Sequence, residues 1–195
     1  DYIFIDARGK DYDWPELALV MSDRHKEIGS DGIILADSSK VADLRMIMFN
    51  ADGSRGLMCG NGIRCLVRFA FEESIIDSSR PTVGVETDSG IKQVTPIWED
   101  GTIIRAKVGM GEPILKPEHI PVIASNSDVV HDYPLTLEDR VLNISCVSMG
   151  NPHAISFMDV DLNSYELHEI GPIVEHHGMF PEKVNFEIAR LVDHS

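Results

Sequence analysis

The chain has 195 residues, 43% of them hydrophobic, which is enough apolar material for one large folded domain or two small ones. Its 17 Lys and Arg residues against 32 Asp and Glu residues give a formal net charge of −15. This charge argues against a nucleic-acid partner, because phosphate contacts require clustered basic side chains. No apolar run approaches the roughly 20 residues of a membrane span, and no targeting segment opens the chain. We expect a cytoplasmic protein without a membrane partner, or a mature form whose leader has been removed.

The cysteine and histidine content points to reduced thiols and to no metal site. Cys59, Cys65 and Cys146 cannot all pair with one another, and they lack the Cys-x-x-Cys spacing of metal and redox sites. Reduced thiols are typical of a cytosol-like compartment. His176 and His177 are adjacent, but neighbouring residues of a helix point about 100° apart, so this pair is a poor chelate. We interpret it as a surface feature.

The first half of the chain predicts strands around a helix. A strand is expected at 2–6 and a helix from about Asp13, which can cap it, to about His25. A second helix begins at Gly60, where five apolar residues recur at helical spacing: Ile63, Leu66, Val67, Ala70 and Phe71. The remaining strands are predicted at 33–36, 44–49, 82–87, 91–97 and 103–110. We expect the sheet to wrap around the second helix, and Cys65 to lie in the core on the same apolar stripe.

The second half predicts a separate domain. The proline-rich stretch 111–134 is typical of a domain boundary, and we divide the chain into residues 1–112 and 113–195. Beyond it we expect a helix at 165–176, interrupted at Gly171-Pro172, and strands at 141–149, 154–160 and 184–191. Cys146 falls in a strand pattern and is expected in the core. The whole pattern is a mixed α/β (α+β) fold with no second copy of the helix that follows Cys59.

Cys59 stands immediately before a glycine-rich helix start, and this context is typical of a reactive thiol. Unpaired backbone N–H groups and the positive end of the helix dipole stabilise a thiolate there. The same amides can hold a carboxylate. A base beside a carboxylate cradle suits removal of the α-proton of an amino acid. No lysine lies in a motif typical of a pyridoxal phosphate Schiff base, so we expect chemistry without a cofactor.

Four segments resemble the diaminopimelate epimerase family, in the same order and over essentially the whole chain. They are NADGS at 50–54, MCGNGIRC at 58–65, VSMGNPHA at 147–154 and FPEKVN at 180–185. The resemblance implies two pseudo-symmetric domains, each a mixed sheet wrapped around a central helix, with the active site in the cleft between them. It also implies cofactor-independent interconversion of LL- and meso-diaminopimelate, in which one cysteine removes the α-proton and another returns a proton from the opposite face.

The resemblance also assigns roles to individual residues. Cys59 matches one of the two catalytic cysteines, and Gly60 and Asn61 match positions whose backbone N–H groups bind the α-carboxylate. His153 matches a histidine close to the thiols. Three asparagines match positions that hold the distal amino and carboxylate groups, a task that suits amides because each offers donors and an acceptor: Asn50, Asn151 and Asn185. The partner implied is a small amino-acid substrate, and the resemblance is compatible with a homodimer.

The sequence departs from the family pattern in three places. Arg55 stands where family members usually carry an acidic residue. The family also has a Gly-Leu-Gly-Asn segment before the residue that Asp1 matches. After the residue matching Ser195 it has a loop with the second catalytic cysteine. We therefore expect the second domain to be incomplete in these 195 residues, and the chain to contain one catalytic thiol of two, Cys59 in the first domain.

Three alternatives to the epimerase remain. The protein could be a racemase of another amino acid in the same structural group, with a different distal pocket. It could be a catalytically incomplete binding paralogue that keeps the carboxylate cradle. A thiol-redox protein is a third alternative, although Cys65 lies nearly two helical turns beyond Cys59. The pair Asp52-Gly53 could belong to the site or form only a tight turn.

Overall fold

A computed structural model of the chain describes residues 1–124 and 128–192. The residues form two units, Asp1–Gly111 and Glu112–Ser195. The first unit contains a seven-stranded sheet and two helices. In chain order its elements are β1 Ile3–Asp6, α1 Trp14–Ser22, β2 Gly32–Asp37, β3 Leu44–Asn50, β4 Arg55–Gly56, α2 Gly60–Glu72, β5 Val83–Thr87, β6 Gly90–Glu99 and β7 Thr102–Gly109.

The sheet of the first unit has the order β1-β2-β3-β5-β6-β7, with the short β4 also paired to β3. Strand β2 is parallel to β1 and antiparallel to β3, while β3 and β5 are parallel. Residues of β2 are buried on both faces: Ile33 and Leu35 pack on the side of α1, and Ile34 and Ala36 on the side of α2. This two-sided burial explains why β2 is an uninterrupted apolar run.

Helix α2 packs its apolar stripe against one face of this sheet, as the periodicity predicts. Ile63, Leu66, Val67 and Ala70 are fully buried together with residues of β2, β5 and β6. Cys65 is exposed, so the expectation that it lies in the core is wrong. The reason is helical geometry: at 100° per residue Cys65 projects about 150° away from the mean direction of Leu66 and Val67.

Within its described residues, the second unit contains a four-stranded sheet and one α-helix. Its elements are β8 Tyr133–Thr136, β9 Val141–Ser148, β10 Pro152–Phe157, α3 Leu167–Glu175 and β11 Asn185–Ala189, with 3-10 turns at Pro117–His119 and Leu162–Ser164. The sheet has the order β11-β10-β9-β8, in which β10 and β11 are parallel and the other pairs antiparallel. Helix α3 packs against this sheet through Ile170 and Val174, and Cys146 is buried there as expected.

Three local predictions differ from the structure. The stretch 111–134 is more than a linker, because Ile120, Val122 and Val130 belong to the core of the second unit. Helix α1 ends at Ser22, since Asp23 caps it instead of continuing it. Helix α3 is continuous through Pro172. The residue before this proline is a glycine, and without a Cβ it avoids the clash that normally excludes a helical residue before proline.

The mixed α+β class predicted from the sequence is confirmed. None of the helices within the described residues has the length and apolar character that crossing a bilayer requires.

Candidate active site

Cys59 is the N-cap residue of helix α2, immediately before its first residue, Gly60. Its backbone is extended, with φ −129° and ψ 114°, and its side chain caps the helix. The backbone N–H of Gly62 donates to Sγ at 3.3 Å, and the N–H of Ile63 donates to the Cys59 carbonyl at 2.9 Å. Met58, the residue before Cys59, is buried and anchors the backbone at this point. The thiol is therefore held at the helix end while remaining partly accessible. This geometry directs an N–H group and the positive end of the dipole at sulfur.

The next two residues supply further amides at the same helix end. Gly60 and Asn61 occupy the first turn, where backbone N–H groups have no acceptor within the helix. Neither N–H has an acceptor among the described residues. The Asn61 side chain accepts a hydrogen bond from Arg64, which ties it to the helix surface. The N–H groups of two adjacent residues, next to the thiol that caps the helix, are therefore available to one small anionic ligand.

Gly62 allows the start of α2 to approach the sheet closely. A Cβ at this position would lie 2.5 Å from the Cδ1 atom of Ile34 and 3.5 Å from the Sγ atom of Cys59. Ile34 is fully buried, so it has little room to move. The glycine thus fixes both the depth of α2 against β2 and the position of the amide that donates to the thiol.

Tyr2 lies beside Cys59, and the sequence reasoning missed it. Side chains alternate along β1 and the residue before it, with Tyr2 and Phe4 packing on the α2 side and Ile3 and Ile5 on the other. The Tyr2 and Cys59 side chains pack against the same apolar core, and each affects the charge of the other. Burial raises the pKa of Tyr2 above its usual value of 10.0, and nearby negative charge at Cys59 and Asp31 adds to this. The hydroxyl therefore keeps its proton at neutral pH and can donate it to a thiolate.

Asn50 lies at the end of β3 in a tight loop. Its Nδ2 atom donates to the Ser54 Oγ at 3.0 Å, and its backbone N–H donates to the Ser54 carbonyl at 2.8 Å. Gly53 has φ +79°, a left-handed conformation, so the Asp52-Gly53 pair forms a tight turn. The bond from Nδ2 to Ser54 fixes the orientation of the Asn50 side chain and does not involve its Oδ1 atom.

Arg55, the departure from the family pattern, is an ion-pair residue. Its Nε atom lies 2.6 Å from Oδ2 of Asp88, and its guanidinium carbon lies 5.7 Å from the ring centre of Phe49. The hydrogen bond from Arg55 lowers the pKa of Asp88, and the charges of Arg55 and Arg45 add to this. Arg55 thus ties the loop before Cys59 to the residue that follows β5.

The remaining predicted residues lie together in the second unit. His153 and Asn185 are directly paired across β10 and β11. The Nε2 atom of His153 lies 3.0 Å from Oδ1 of Asn151, and the Nδ2 atom of Asn185 donates to the Pro152 carbonyl at 3.1 Å. The Nδ1 atom of His153 lies 2.6 Å from Oε1 of Glu187, a second residue that the sequence reasoning missed.

The described residues contain no group of three or more His, Cys, Asp or Glu side chains arranged to hold a metal ion. His176 is exposed, in line with the interpretation of the His176-His177 pair as a surface feature. The Nδ1 atom of its ring forms a hydrogen bond with the Pro172 carbonyl of helix α3 at 2.9 Å.

Comparison with known proteins identifies the family. A family model described as "Diaminopimelate epimerase" matches residues 1–116. The chain is 45% identical over 196 residues to a diaminopimelate epimerase of Methanococcus maripaludis strain C5, covering 100% of this chain and 69% of the relative. It is 42% identical over 195 residues to a diaminopimelate epimerase of Acetivibrio thermocellus, covering 99% and 68%. The chain belongs to the diaminopimelate epimerase family.

A solved structure agrees with this fold. The chain resembles a hydroxyproline epimerase from Agrobacterium vitis with a TM-score of 0.63, over 83% of this chain and 46% of that one, at 14% identity. At this identity the likeness concerns the fold alone. Within the diaminopimelate epimerase family, this chain thus combines a helix-capping thiol in its first unit with an asparagine and histidine cluster in its second.

Proposed function

We propose that this protein is a diaminopimelate epimerase, an isomerase that interconverts LL- and meso-2,6-diaminopimelate without a cofactor. The observation that carries the proposal is the start of α2, where the Cys59 thiol accepts a hydrogen bond from the Gly62 N–H at 3.3 Å and the N–H groups of Gly60 and Asn61 have no acceptor within residues 1–124 and 128–192. This arrangement belongs to a chain that is 45% identical to a diaminopimelate epimerase.

Cys59 acts as the base in this proposal. The α-proton moves to Sγ as the C–H bond breaks, and the electron pair that remains is delocalised into the α-carboxylate. The N–H groups of Gly60 and Asn61 donate hydrogen bonds to the carboxylate oxygens and so stabilise the negative charge that develops there. Tyr2 donates to the thiolate before proton transfer. Return of a proton from the opposite face falls to the second cysteine that the family resemblance implies.

The distal end of the substrate is zwitterionic and calls for groups that both donate and accept. Asn50, Asn151 and Asn185 provide such amides. Each has one side-chain atom engaged in the hydrogen bonds described above, which fixes its orientation before substrate arrives. His153 is proposed to act on a thiol by charge or hydrogen bonding.

The finer assignments follow from this activity. A diaminopimelate epimerase serves the synthesis of lysine and of peptidoglycan precursors, and such an enzyme works on free amino acids in the cytoplasm. We also propose that the protein forms a homodimer. Its oligomeric state can be measured by sedimentation equilibrium of the full-length protein.

Solvent-hydrogen exchange tests the activity. The full-length protein in deuterated buffer should incorporate deuterium at the α-carbon of LL-diaminopimelate, and Cys59→Ser should reduce this rate by about 10²-fold or more, as expected for loss of a general base. Cys65→Ser is the matched control on the exposed side of the same helix and should leave the rate unchanged. No exchange above the Cys59→Ser background would refute the proposal.

A panel of amino acids distinguishes the epimerase from a racemase with another specificity. Diaminopimelate should exchange, whereas lysine, which lacks the distal carboxylate, and proline, which lacks the whole distal end, should exchange far more slowly. Equal or faster exchange with proline would favour the racemase instead. Substrate binding without exchange in any of them would favour a binding paralogue.

A further inference from the structure

The second unit contains a hydrogen-bonded row of three side chains, Asn151, His153 and Glu187. The ring of His153 lies in the middle, with Nε2 3.0 Å from Oδ1 of Asn151 and Nδ1 2.6 Å from Oε1 of Glu187. Glu187 lies outside the four sequence segments that resemble the family, so the motifs give it no role. Its distance to His153 is nevertheless that of a strong, charge-assisted hydrogen bond.

The register of β10 and β11 puts these two side chains on one face of the sheet. His153 pairs with Asn185 and Ile155 with Glu187, while the intervening pair, Ala154 and Phe186, packs in the core. Because successive side chains of a strand point to opposite faces, His153 and Glu187 both lie on the face away from that core. Their contact is thus a consequence of strand pairing and not of a flexible loop.

Glu187 has one carboxylate oxygen committed to His153 and the other enclosed. The Oε2 atom is buried and has no hydrogen-bond partner among the described residues. An ionised carboxylate needs donors, and leaving one of its oxygens without them is unfavourable. An ionised carboxylate can only accept, so the 2.6 Å contact between Oε1 and Nδ1 of His153 requires the hydrogen to be on that nitrogen.

The Asn151 side chain can form a hydrogen bond with Nε2 of His153 whether or not that nitrogen carries a hydrogen. An amide oxygen accepts from a protonated Nε2, and the amide nitrogen donates to a bare one, after rotation of the amide group. Nε2 can therefore gain or lose a proton while the bond between Nδ1 and Glu187 stays in place. The two ring nitrogens have different partners and so different functions.

We propose that Glu187 is a positioning residue that holds His153 in the tautomer with the proton on Nδ1, so that Nε2 is the nitrogen available for proton exchange. The consequence for catalysis rests on the proposed epimerase function. The tautomer itself does not depend on that function, because it follows from the contact between Nδ1 and the Glu187 carboxylate, with the Asn151 amide turned so that Nδ2 donates to Nε2.

Nitrogen NMR of the full-length protein labelled with ¹⁵N-histidine tests the tautomer directly. The signal of His153 is assigned by its loss in His153→Gln. In the wild type at neutral pH, Nδ1 should show the chemical shift of a protonated nitrogen and Nε2 that of a bare one. Glu187→Ala should shift the ring toward the Nε2-protonated tautomer, and Glu187→Gln, which keeps an acceptor oxygen, should restore Nδ1–H. Glu138→Ala, at an exposed carboxylate of the same unit, should change nothing.

The wild-type spectrum alone can overturn the proposal, even where a variant fails to fold. A bare Nδ1 in the wild type, or a tautomer unchanged in folded Glu187→Ala, contradicts it. Exchange at the substrate α-carbon supplies the second readout: Glu187→Ala should lower kcat by about ten- to a hundredfold with a smaller change in KM, and Glu187→Gln should recover much of this. If wild-type protein shows no exchange but Nδ1 is protonated, the epimerase proposal fails and the positioning role of Glu187 stands.

Discussion

Replacing Gly62 with alanine tests whether the close contact between α2 and β2 sets the position of the thiol. The new Cβ would lie 2.5 Å from the Cδ1 atom of Ile34, whereas carbon atoms pack at about 3.5–4.0 Å, so the helix or the isoleucine must move by about 1 Å. Overpacking of this kind destabilises by about 1–3 kcal/mol. Alanine in place of a helical glycine raises the free energy of unfolding by up to about 1 kcal/mol, which offsets part of this loss.

Gly60→Ala is the matched control in the same turn of α2. Its Cβ would meet the Cε and Sδ atoms of Met110 at 3.7 and 3.9 Å, which are ordinary contacts. Both variants share any gain in helix propensity, so the difference between them isolates the overpacking. We expect Gly62→Ala to be less stable than Gly60→Ala by about 1–3 kcal/mol, which corresponds to roughly 2–12 °C in Tm for a chain of this size.

Thermal unfolding followed by tryptophan fluorescence measures this difference. Trp14 and Trp98 are the two tryptophans of the chain and both lie in the first unit, so the signal reports the unit that contains α2. Alkylation of Cys59 should also be slower in Gly62→Ala, because the amide that donates to Sγ is displaced. A Gly62→Ala protein as stable as Gly60→Ala, with an unchanged alkylation rate, would refute the reasoning.

Three further predictions concern other groups. Tyr2→Phe removes a donor worth about 1.5–3 kcal/mol to a charged acceptor, so alkylation of Cys59 by iodoacetamide at pH 7 should slow by about tenfold or more, whereas Tyr12→Phe, at an exposed ring, should react like the wild type. Asp88→Asn should lower the free energy of unfolding by up to about 1 kcal/mol at pH 7 in urea titrations. The pKa of Asp88 is lowered in the folded state, so this difference should shrink as the pH falls below 3.8, and a constant difference would contradict it. Burial raises the pKa of Cys146 to about 12, so roughly one thiol in 10⁴ is ionised at pH 8, and peptide mass spectrometry should find Cys146 unmodified when Cys59 is fully alkylated.

The start of α2 could be predicted because its signals are adjacent in the chain. A glycine-rich turn followed by an apolar stripe at helical spacing marks both the end of the helix and its buried face. The same spacing also places Cys65 on the opposite face from Ile63, and the structure shows it exposed. The error at Cys65 came from judging a single residue by its apolar neighbours in sequence and not by its angle around the helix.

The segment before β9 could not be predicted in the same way. Pro134 argues against a strand because it has no N–H group, yet it lies in β8 and pairs with Asn143. The pairing is possible because β8 is the edge strand of its sheet, where proline is tolerated. Which strand is at the edge depends on the order of all four strands, and this order is not encoded near Pro134.

Glu187 and Tyr2 were missed for a related reason. Alternation along a strand tells which side chains share a face, but the partner across that face depends on strand pairing. A slip of β11 by one residue against β10 would turn Glu187 into the core and bring Phe186 out of it. Burial of Phe186 beside Ala154 therefore holds the carboxylate against His153. In this unit the apolar residues that fix the register also determine the hydrogen-bond partner of the site histidine, so a substitution that loosens the core at Phe186 should disturb the His153 tautomer without touching the ring.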